Sequence, residues 1–218
     1  MKIDINKINN SYHALTYDDS EVVKKDYFND QYGYRGIPVV FKKAFKSEDG
    51  KPDTEKILNV FNCWLSEDKT TKTDMMSEEK EMFSNLNREE FNKGKWNALA
   101  SGKRLWLVYP SAFNSEISNN LSKYQPDNLE DINRKISENA IKPFYAIQEP
   151  GELIYIPGSN YHMHINLEDT DTFQQEFINE INYDDVRIAI RKFNIEDFKH
   201  LEKTIKSQFE KLSQSDLV

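Results

Sequence analysis

Residues 150–166, PGELIYIPGSNYHMHIN, constrain the fold of this chain more than any other stretch. Two Pro-Gly pairs bracket a short run of β-branched and aromatic residues, which is the pattern of a strand between two turns. A second strand follows. Because side chains alternate along a strand, His162, His164 and Asn166 share one face of it. Two imidazoles on one face predict a binding site as well as a sheet.

The composition argues against several classes of partner. The chain has 218 residues, of which 12% are aromatic, and this length predicts one domain with a real core. The formal net charge is -8, so the surface should repel phosphate backbones and we expect no nucleic-acid partner. The single cysteine, Cys63, cannot form an internal disulfide, and the sequence has no targeting leader or long apolar run. These features predict a soluble cytoplasmic protein without a membrane partner.

The chain divides into a β-rich region flanked by helical segments. Residues 1–33 predict an N-terminal helical segment, and residues 34–180 predict the β-rich region, with a helical insert at 111–142. Residues 181–218 predict C-terminal helices with an apolar stripe at steps of three and four residues. That stripe packs either on the β-rich region or against a second copy of itself, as a dimerisation element.

Two more stretches complete the predicted β-rich region. The run KWNALASGKRLWLVYP at 95–110 alternates on both sides of Ser101 and Gly102, which predicts a hairpin. The polar run at 66–81, SEDKTTKTDMMSEEKE, predicts a loop that could act as a lid.

These motifs resemble a known family. The pattern G-x5-P followed by H-x3-N is similar to the second sequence motif of the cupins, and it is formed by Gly151, Pro157, His162 and Asn166. With the Trp-Asn hairpin and the upstream strand IPVVF, the chain resembles the JmjC and cupin-like hydroxylases, which depend on Fe(II) and 2-oxoglutarate. The resemblance implies a mainly β fold with flanking helices, a double-stranded β-helix or jelly roll, with C-terminal helices after it.

The resemblance also implies a metal site. In these oxygenases a His-x-Asp/Glu pair and a distal histidine hold iron(II), which leaves three positions open for 2-oxoglutarate and oxygen. The distal histidine matches His162 and the carboxylate matches Glu89. The first histidine of the motif falls on Asn87, so the motif is degenerate, Asn87-Arg88-Glu89. Asn87 could offer an amide oxygen, and His164 could join as a ligand because it shares a face with His162.

The cosubstrate pocket follows from the same comparison of motifs. The family's basic anchor for 2-oxoglutarate falls on Arg104, with Lys103 beside it, and either side chain could hold a carboxylate. Asn97 matches a polar residue that lines the pocket. Gln174 falls where the family usually has a hydroxyl residue.

Three functions remain open from the sequence. The first is an Fe(II)- and 2-oxoglutarate-dependent hydroxylase with a variant metal site, in which Glu89 and His162 are catalytic and the substrate is a protein, a peptide or an amino-acid-like small molecule. The second is a catalytically inactive pseudo-oxygenase of the same fold, without cofactors, that binds a ligand or a protein. The third is a cupin-type enzyme without redox chemistry, in which His162 and Glu89 act as acid and base.

Overall fold

The structure is a computed structural model that describes the following parts of the chain: residues 12–13, 15–17, 25–42, 45, 52–61, 75–120, 131, 134, 138, 141–193, 199, 202–203 and 206–207. Cys63 and the apolar stripe of the C-terminal helices lie outside these residues. The predicted packing and dimerisation of that stripe therefore stay predictions, and so do the three segment boundaries.

Strands dominate the described residues, and their order along the chain is β1 (Tyr12–His13), β2 (Leu15–Tyr17), α1 (Lys25–Phe28), β3 (Val39–Phe41), α2 (Thr54–Phe61), β4 (Met75–Glu78), β5 (Gly94–Ser101), β6 (Arg104–Val108), α3 (Asn114–Asn120), β7 (Phe144–Gln148), β8 (Leu153–Ile156), β9 (His162–Asn166), β10 (Thr170–Phe177) and α4 (Tyr183–Phe193). A π-helical turn extends α1, and short 3-10 turns precede β5 and α3. None of the helices described is long and apolar enough to cross a membrane.

The strands form two sheets. The smaller sheet has the order β1-β7-β6-β9, and the larger has the order β2-β3-β8-β5-β10-β4. Residues 82–87 extend the smaller sheet beyond β9 through bridges from Phe83 to Ile165 and from Asn87 to His162. The pairings are antiparallel except for β1 with β7 and β2 with β3. This arrangement confirms the predicted mainly β jelly roll with flanking helices.

The predicted hairpin at 95–110 is wrong in its pairing. A tight turn at Gly102 joins β5 to β6, but β5 pairs with β8 and β10 in the larger sheet, whereas β6 pairs with β7 and β9 in the smaller one. Gly102 has φ +82°, and a Cβ there would lie 2.0 Å from the carbonyl oxygen of Asp169. Only glycine fits this corner. Alternation along the chain is the same for a hairpin and for a corner between two sheets, so the sequence pattern could not separate them.

The predicted loop at 66–81 is wrong at its end. Within this segment, β4 is an edge strand that pairs antiparallel with β10, from Met75 opposite Phe173 to Glu78 opposite Thr170. Hydrogen bonds to a neighbour, rather than its own apolar pattern, make this polar segment a strand.

An aromatic core lies on the outer face of the larger sheet, beneath α1 and α2. The rings of Phe28 and Phe61 meet edge to face with centroids 4.8 Å apart, and Phe28 makes a second such contact with Tyr155 of β8. Each large ring buried in this way contributes about 1.5–3 kcal/mol. The core fixes both helices on the sheet and leaves the opposite face of the sheet to the barrel interior.

Two more apolar clusters complete the packing. Ile117 of α3 covers the outer face of the smaller sheet, against Leu105, Leu107, Met163 and Ile165. The cluster between the two sheets consists of Val40, Trp106, Val108, Ala146, Ile154 and Ile156. The membership of these clusters tells which side chains of each strand face outward and which face the interior.

Candidate functional site

The polar end of the barrel interior gathers most of the residues that the sequence predicts for the site. On β6, Leu105 and Leu107 pack outward, so Arg104 faces inward with Trp106. The same alternation gives β5, β9 and β10 an inward set, which is Lys95, Asn97, His162, His164, Asn166, Gln174 and Glu176. Two predicted residues differ: Asn87 is exposed, and Lys103 pairs with Glu149 beside the Gly102 corner.

Glu89 and His162 are brought together by the bridge between residues 82–87 and β9. Asn87 and His162 exchange two backbone hydrogen bonds, of 2.8 and 3.1 Å, and Glu89 follows two residues later. Its Oε1 lies 3.2 Å from His162 Nε2, with the two side chains only 8% and 3% exposed. The sequence comparison therefore identifies two residues that do meet inside the barrel.

A strained turn holds Glu89 in this position. Phe91 and Asn92 have φ of 56° and 59°, a conformation that side chains other than glycine rarely adopt. A Cβ at Gly158 would lie 1.9 Å from the Asn92 carbonyl oxygen, so the chain passes very close here. Phe91 also packs with Ile178 and Val186, which ties the turn to the start of α4.

Lys95 is a member of this site that the sequence reasoning missed. Its Nζ donates a hydrogen bond of 2.9 Å to Glu89 Oε1, the same oxygen that faces His162 Nε2. A signal was available, because Lys95 lies two residues before Asn97 on one strand and must share its inward face.

Glu176 of β10 extends the charged cluster. It lies close enough to Glu89 for the two carboxyl groups to shift each other's pKa, and it pairs with Lys93 at 2.7 Å. Burial alone would raise the pKa of Glu89, but the contacts with His162, Glu176 and Lys95 outweigh it and hold that pKa well below its usual value. Burial and the neighbouring Glu89 raise the pKa of Glu176. The cluster therefore keeps one carboxylate ionised against a lysine.

These residues do not fit iron(II) as they stand. Two ligands bound at about 2.1 Å to one ion at a right angle would lie roughly 3 Å apart, so the separation of Glu89 and His162 alone would permit a metal. The ammonium of Lys95, however, occupies the same carboxylate oxygen. His162 Nδ1 faces the Asn160 carbonyl oxygen at 3.2 Å, so Nε2 is the ring nitrogen directed at Glu89, and the obstacle to a metal is Lys95 rather than His162.

The remaining predicted ligands do not complete the site. Asn87 has an exposed side chain, and His164 lies beside Glu78 rather than with Glu89. In the part of the chain that the structure describes, no three side chains of His, Cys, Asp or Glu are grouped to hold a metal ion.

Arg104 forms a second polar centre inside the barrel. Its side chain is 1% exposed, and its guanidinium donates to Asn166 Oδ1 at 2.8 Å and to Thr170 Oγ1 at 3.0 Å. It also forms an ion pair with Glu78 of β4. A guanidinium this far from water requires an anion, and here the chain supplies the anion itself.

Glu78 contacts His164 as well as Arg104. His164 Nε2 lies 3.4 Å from Glu78 Oε2, although this nitrogen has no partner with hydrogen-bonding geometry. The contact with His164 and the charge of Arg104 outweigh burial and lower the pKa of Glu78 to about 2. Burial, in turn, lowers the pKa of His164. Glu78 is thus ionised and His164 neutral near pH 7.

Asn97 of β5 and Gln174 of β10 are direct neighbours on paired strands of the larger sheet. Asn97 Nδ2 donates to Gln174 Oε1 at 3.4 Å, and Gln174 Nε2 lies 3.0 Å from the sulfur of Met76 on β4. Three of the four residues predicted to bind 2-oxoglutarate therefore lie in one region, and β4 contacts two of them.

Comparisons with known proteins agree with the family suggested by the motifs. The chain is 28% identical over 144 residues to the arginine-specific demethylase JMJ20 of Arabidopsis thaliana, an overlap that covers 61% of this chain and 30% of the relative. It is 32% identical over 99 residues to the 2-oxoglutarate and iron-dependent oxygenase JMJD4 of Danio rerio, covering 43% of this chain and 24% of the relative. A third relative is the lysine-specific demethylase JMJ21 of Arabidopsis thaliana, 29% identical over 99 residues, or 40% of this chain and 10% of the relative.

The chain thus matches less than a third of the length of each of these relatives. No family model matches the chain. The similarity confirms the resemblance drawn from the two motifs, at modest identity and over part of the chain.

Proposed function

We propose that this chain, whose curated relatives are JmjC-domain oxygenases dependent on 2-oxoglutarate and iron, is a pseudo-oxygenase: a barrel that binds a partner without iron-dependent chemistry. One observation carries the proposal. Lys95 Nζ lies 2.9 Å from the Glu89 oxygen that faces His162, so the chain places its own cation at the carboxylate of the degenerate motif.

Electrostatics explains why this lysine opposes a metal ion. Two unit charges 4 Å apart interact by about 4 kcal/mol at the effective dielectric constant of a protein surface, and a divalent ion doubles this repulsion from an ammonium. A metal at Glu89 would therefore have to displace Lys95. Without the first histidine, at Asn87, it would gain at most one nitrogen ligand from the motif.

The class of partner is part of the proposal. Two of the relatives are named as demethylases specific for arginine and lysine. We infer that this barrel, too, binds a protein or a peptide, with no cofactor.

Metal binding and turnover by the wild-type protein test the proposal directly. The purified protein is titrated with Mn(II), followed by electron paramagnetic resonance, and is then loaded with Fe(II) without oxygen and assayed for succinate formed from 2-oxoglutarate. We expect no stoichiometric metal and no succinate. Stoichiometric iron with turnover that disappears in His162→Ala would overturn the proposal.

Three variants at these two positions test whether Lys95 prevents metal binding. Lys95→Met removes the ammonium, and the double variant Asn87→His with Lys95→Met also restores the missing histidine. We expect 1:1 Mn(II) binding by the double variant but not by Asn87→His alone. Lys93→Met is the matched control, since Lys93 pairs with Glu176 rather than with Glu89. Mn(II) binding by Asn87→His alone would show that Lys95 does not block the site.

A hydroxylase with a variant metal site is the second candidate, because Glu89 and His162 still meet at 3.2 Å. It requires Lys95 to move away when a metal binds. Turnover of 2-oxoglutarate by the wild type, increased in Lys95→Met, would favour this candidate.

A further inference from the structure

The inward face of β4 lies against the residues that the family resemblance assigns to 2-oxoglutarate. Side chains alternate along this strand: Ser77 points away and donates to Asp171 Oδ1 at 2.6 Å, whereas Met76 and Glu78 point inward. Met76 contacts Gln174, and Glu78 forms the ion pair with Arg104.

The carboxylate of Glu78 lies among groups that recognise an anion. Arg104 pairs with it directly, Asn166 Nδ2 lies at 3.5 Å, and His164 Nε2 lies at 3.4 Å. Arg104 and Asn166 are fully buried, and Asn166 is itself held by a hydrogen bond of 3.1 Å to the carbonyl oxygen of Glu79. Donors arranged and buried before any ligand arrives make an anion site, and a guanidinium suits a carboxylate in particular.

We propose that the Arg104 pocket is a site for a small carboxylate that the chain fills from within by Glu78, so that free carboxylates are excluded while β4 is paired with β10. This proposal does not rest on the pseudo-oxygenase proposal, because it concerns the Arg104 end of the barrel and not Glu89, Lys95 or His162.

The position of β4 would allow Glu78 to leave the Arg104 pocket. The strand has four residues, lies at the edge of the larger sheet and pairs only with β10 among the described strands. Its withdrawal would break the strand hydrogen bonds to β10 and the side-chain contacts of Met76, Ser77 and Glu78, but it would leave the pairing of the other strands intact. By contrast, Arg104 lies on β6, which is paired on both sides, so the pocket remains when the occupant leaves.

A cavity lies at the edge of β4 and reaches Glu78 and Thr170, two residues that contact Arg104, but Arg104 does not line it. It has a volume of about 350 Å³ and borders Glu78; its lining residues are Ser77, Glu78, Glu79, Ser101, Asp169, Thr170 and Asp171. Because the lining carries several carboxylates besides Glu78, an entering anion meets repulsion, and we expect millimolar rather than micromolar affinity once Glu78 is removed.

Replacement of Glu78 by alanine tests the proposal. The melting temperature of Glu78→Ala is titrated with sodium acetate against sodium chloride at equal ionic strength, at pH 7. We expect the melting temperature of this variant to rise with acetate at millimolar concentrations and that of the wild type to be unaffected, because a ligand that binds only the folded state stabilises it. Isothermal titration of the folded variant with acetate and with 2-oxoglutarate then measures the affinity.

Two controls make the outcome decisive. Glu79→Ala removes the exposed neighbouring carboxylate and should behave as the wild type does. Glu78→Gln fills the same volume with a neutral amide and should not respond to acetate. If Glu78→Ala is unfolded in chloride, the same titration measures the recovery of folded protein in acetate. No response of Glu78→Ala to acetate in either form, or an equal response of the wild type, would overturn the proposal.

Discussion

Lys95 Nζ and Glu89 Oε1 lie 2.9 Å apart inside the barrel. Lys95 reaches this oxygen from β5, and His162 Nε2 approaches the same oxygen to 3.2 Å from β9. Both members of the pair are largely removed from water, so each helps to compensate for burying the other, together with His162 on the same carboxylate oxygen. The pair is therefore a structural element of this end of the barrel as well as an obstacle to a metal ion.

Lys95→Met should destabilise the protein, because it leaves the buried Glu89 without its cation. We expect a loss of about 2–4 kcal/mol in the free energy of unfolding at pH 7, measured by urea denaturation. Lys93→Met, which removes a more exposed ion pair with Glu176, should cost less than about 1 kcal/mol. Equal losses in the two variants would contradict the assigned importance of Lys95.

Acid should weaken the protein through Glu78. The folded-state pKa of Glu78 is lowered from 4.5 to about 2, so its ionised form stabilises the fold above pH 4.5, and this contribution is lost as the pH falls toward 2. At about 1.4 kcal/mol per pKa unit, the contribution is on the order of 2–3 kcal/mol after allowance for the partial exposure of the side chain.

The comparison with Glu78→Gln isolates this contribution. The difference in unfolding free energy between the wild type and Glu78→Gln should be largest near pH 7 and should shrink between pH 4.5 and pH 2. Urea denaturation at a series of pH values measures it. A difference that stays constant over this range would mean that Glu78 does not titrate as described.

Gly158→Ala should disrupt the turn that carries Glu89. Its Cβ would meet the Asn92 carbonyl oxygen at 1.9 Å, and that oxygen belongs to backbone that cannot move without shifting Glu89. We expect a cost of more than about 3 kcal/mol. Gly36→Ala is the control. The φ of +62° at Gly36 is strained for alanine, but an added Cβ would meet no described residue within 4 Å apart from its chain neighbours, so the cost should stay near 1 kcal/mol. Thermal unfolding of both variants measures the difference.

Gln148→Leu should remove a buried bridge between the two sheets. Gln148 accepts from Trp106 Nε1 at 2.8 Å and donates to the carbonyl oxygens of Asn97 and Glu152 at 3.0 and 2.9 Å. Trp106 Nε1 would lose its partner and the two carbonyl oxygens would each lose one hydrogen bond, so we expect a loss of about 2–4 kcal/mol in urea denaturation. Gln175→Leu should change stability by less than about 1 kcal/mol, since the half-buried side chain of Gln175 makes no hydrogen bond among the described residues. Similar losses would mean that the bridge contributes little.

Alternation along the strands was the most informative signal in the sequence. It places His162, His164 and Asn166 on one inward face, and the motif comparison adds Arg104 and Glu89. The structure brings each of these residues to the polar end of the interior. The alternation of side chains predicts the inward residues of a jelly roll because each sheet has one outward and one inward face.

The contacts that support the two proposals were not predictable in the same way. The ion pair of Lys95 with Glu89 depends on a turn with two positive φ values at Phe91 and Asn92, and that of Glu78 with Arg104 depends on an edge strand without an apolar pattern. Both are tertiary contacts between polar residues, for which local propensity gives no signal.

The corner at Gly102 also has a consequence for how the protein folds. Because it sends consecutive strands into different sheets, each strand must find partners far along the chain: Gly94 pairs with Phe177, and Arg104 pairs with Asn166. Pairing strands that are so distant in sequence requires long loops to close, which costs conformational entropy before the strand hydrogen bonds form. We therefore expect refolding on the timescale of milliseconds to seconds or slower. The barrel should therefore form late and cooperatively, when residues as distant as 94 and 177 are both available.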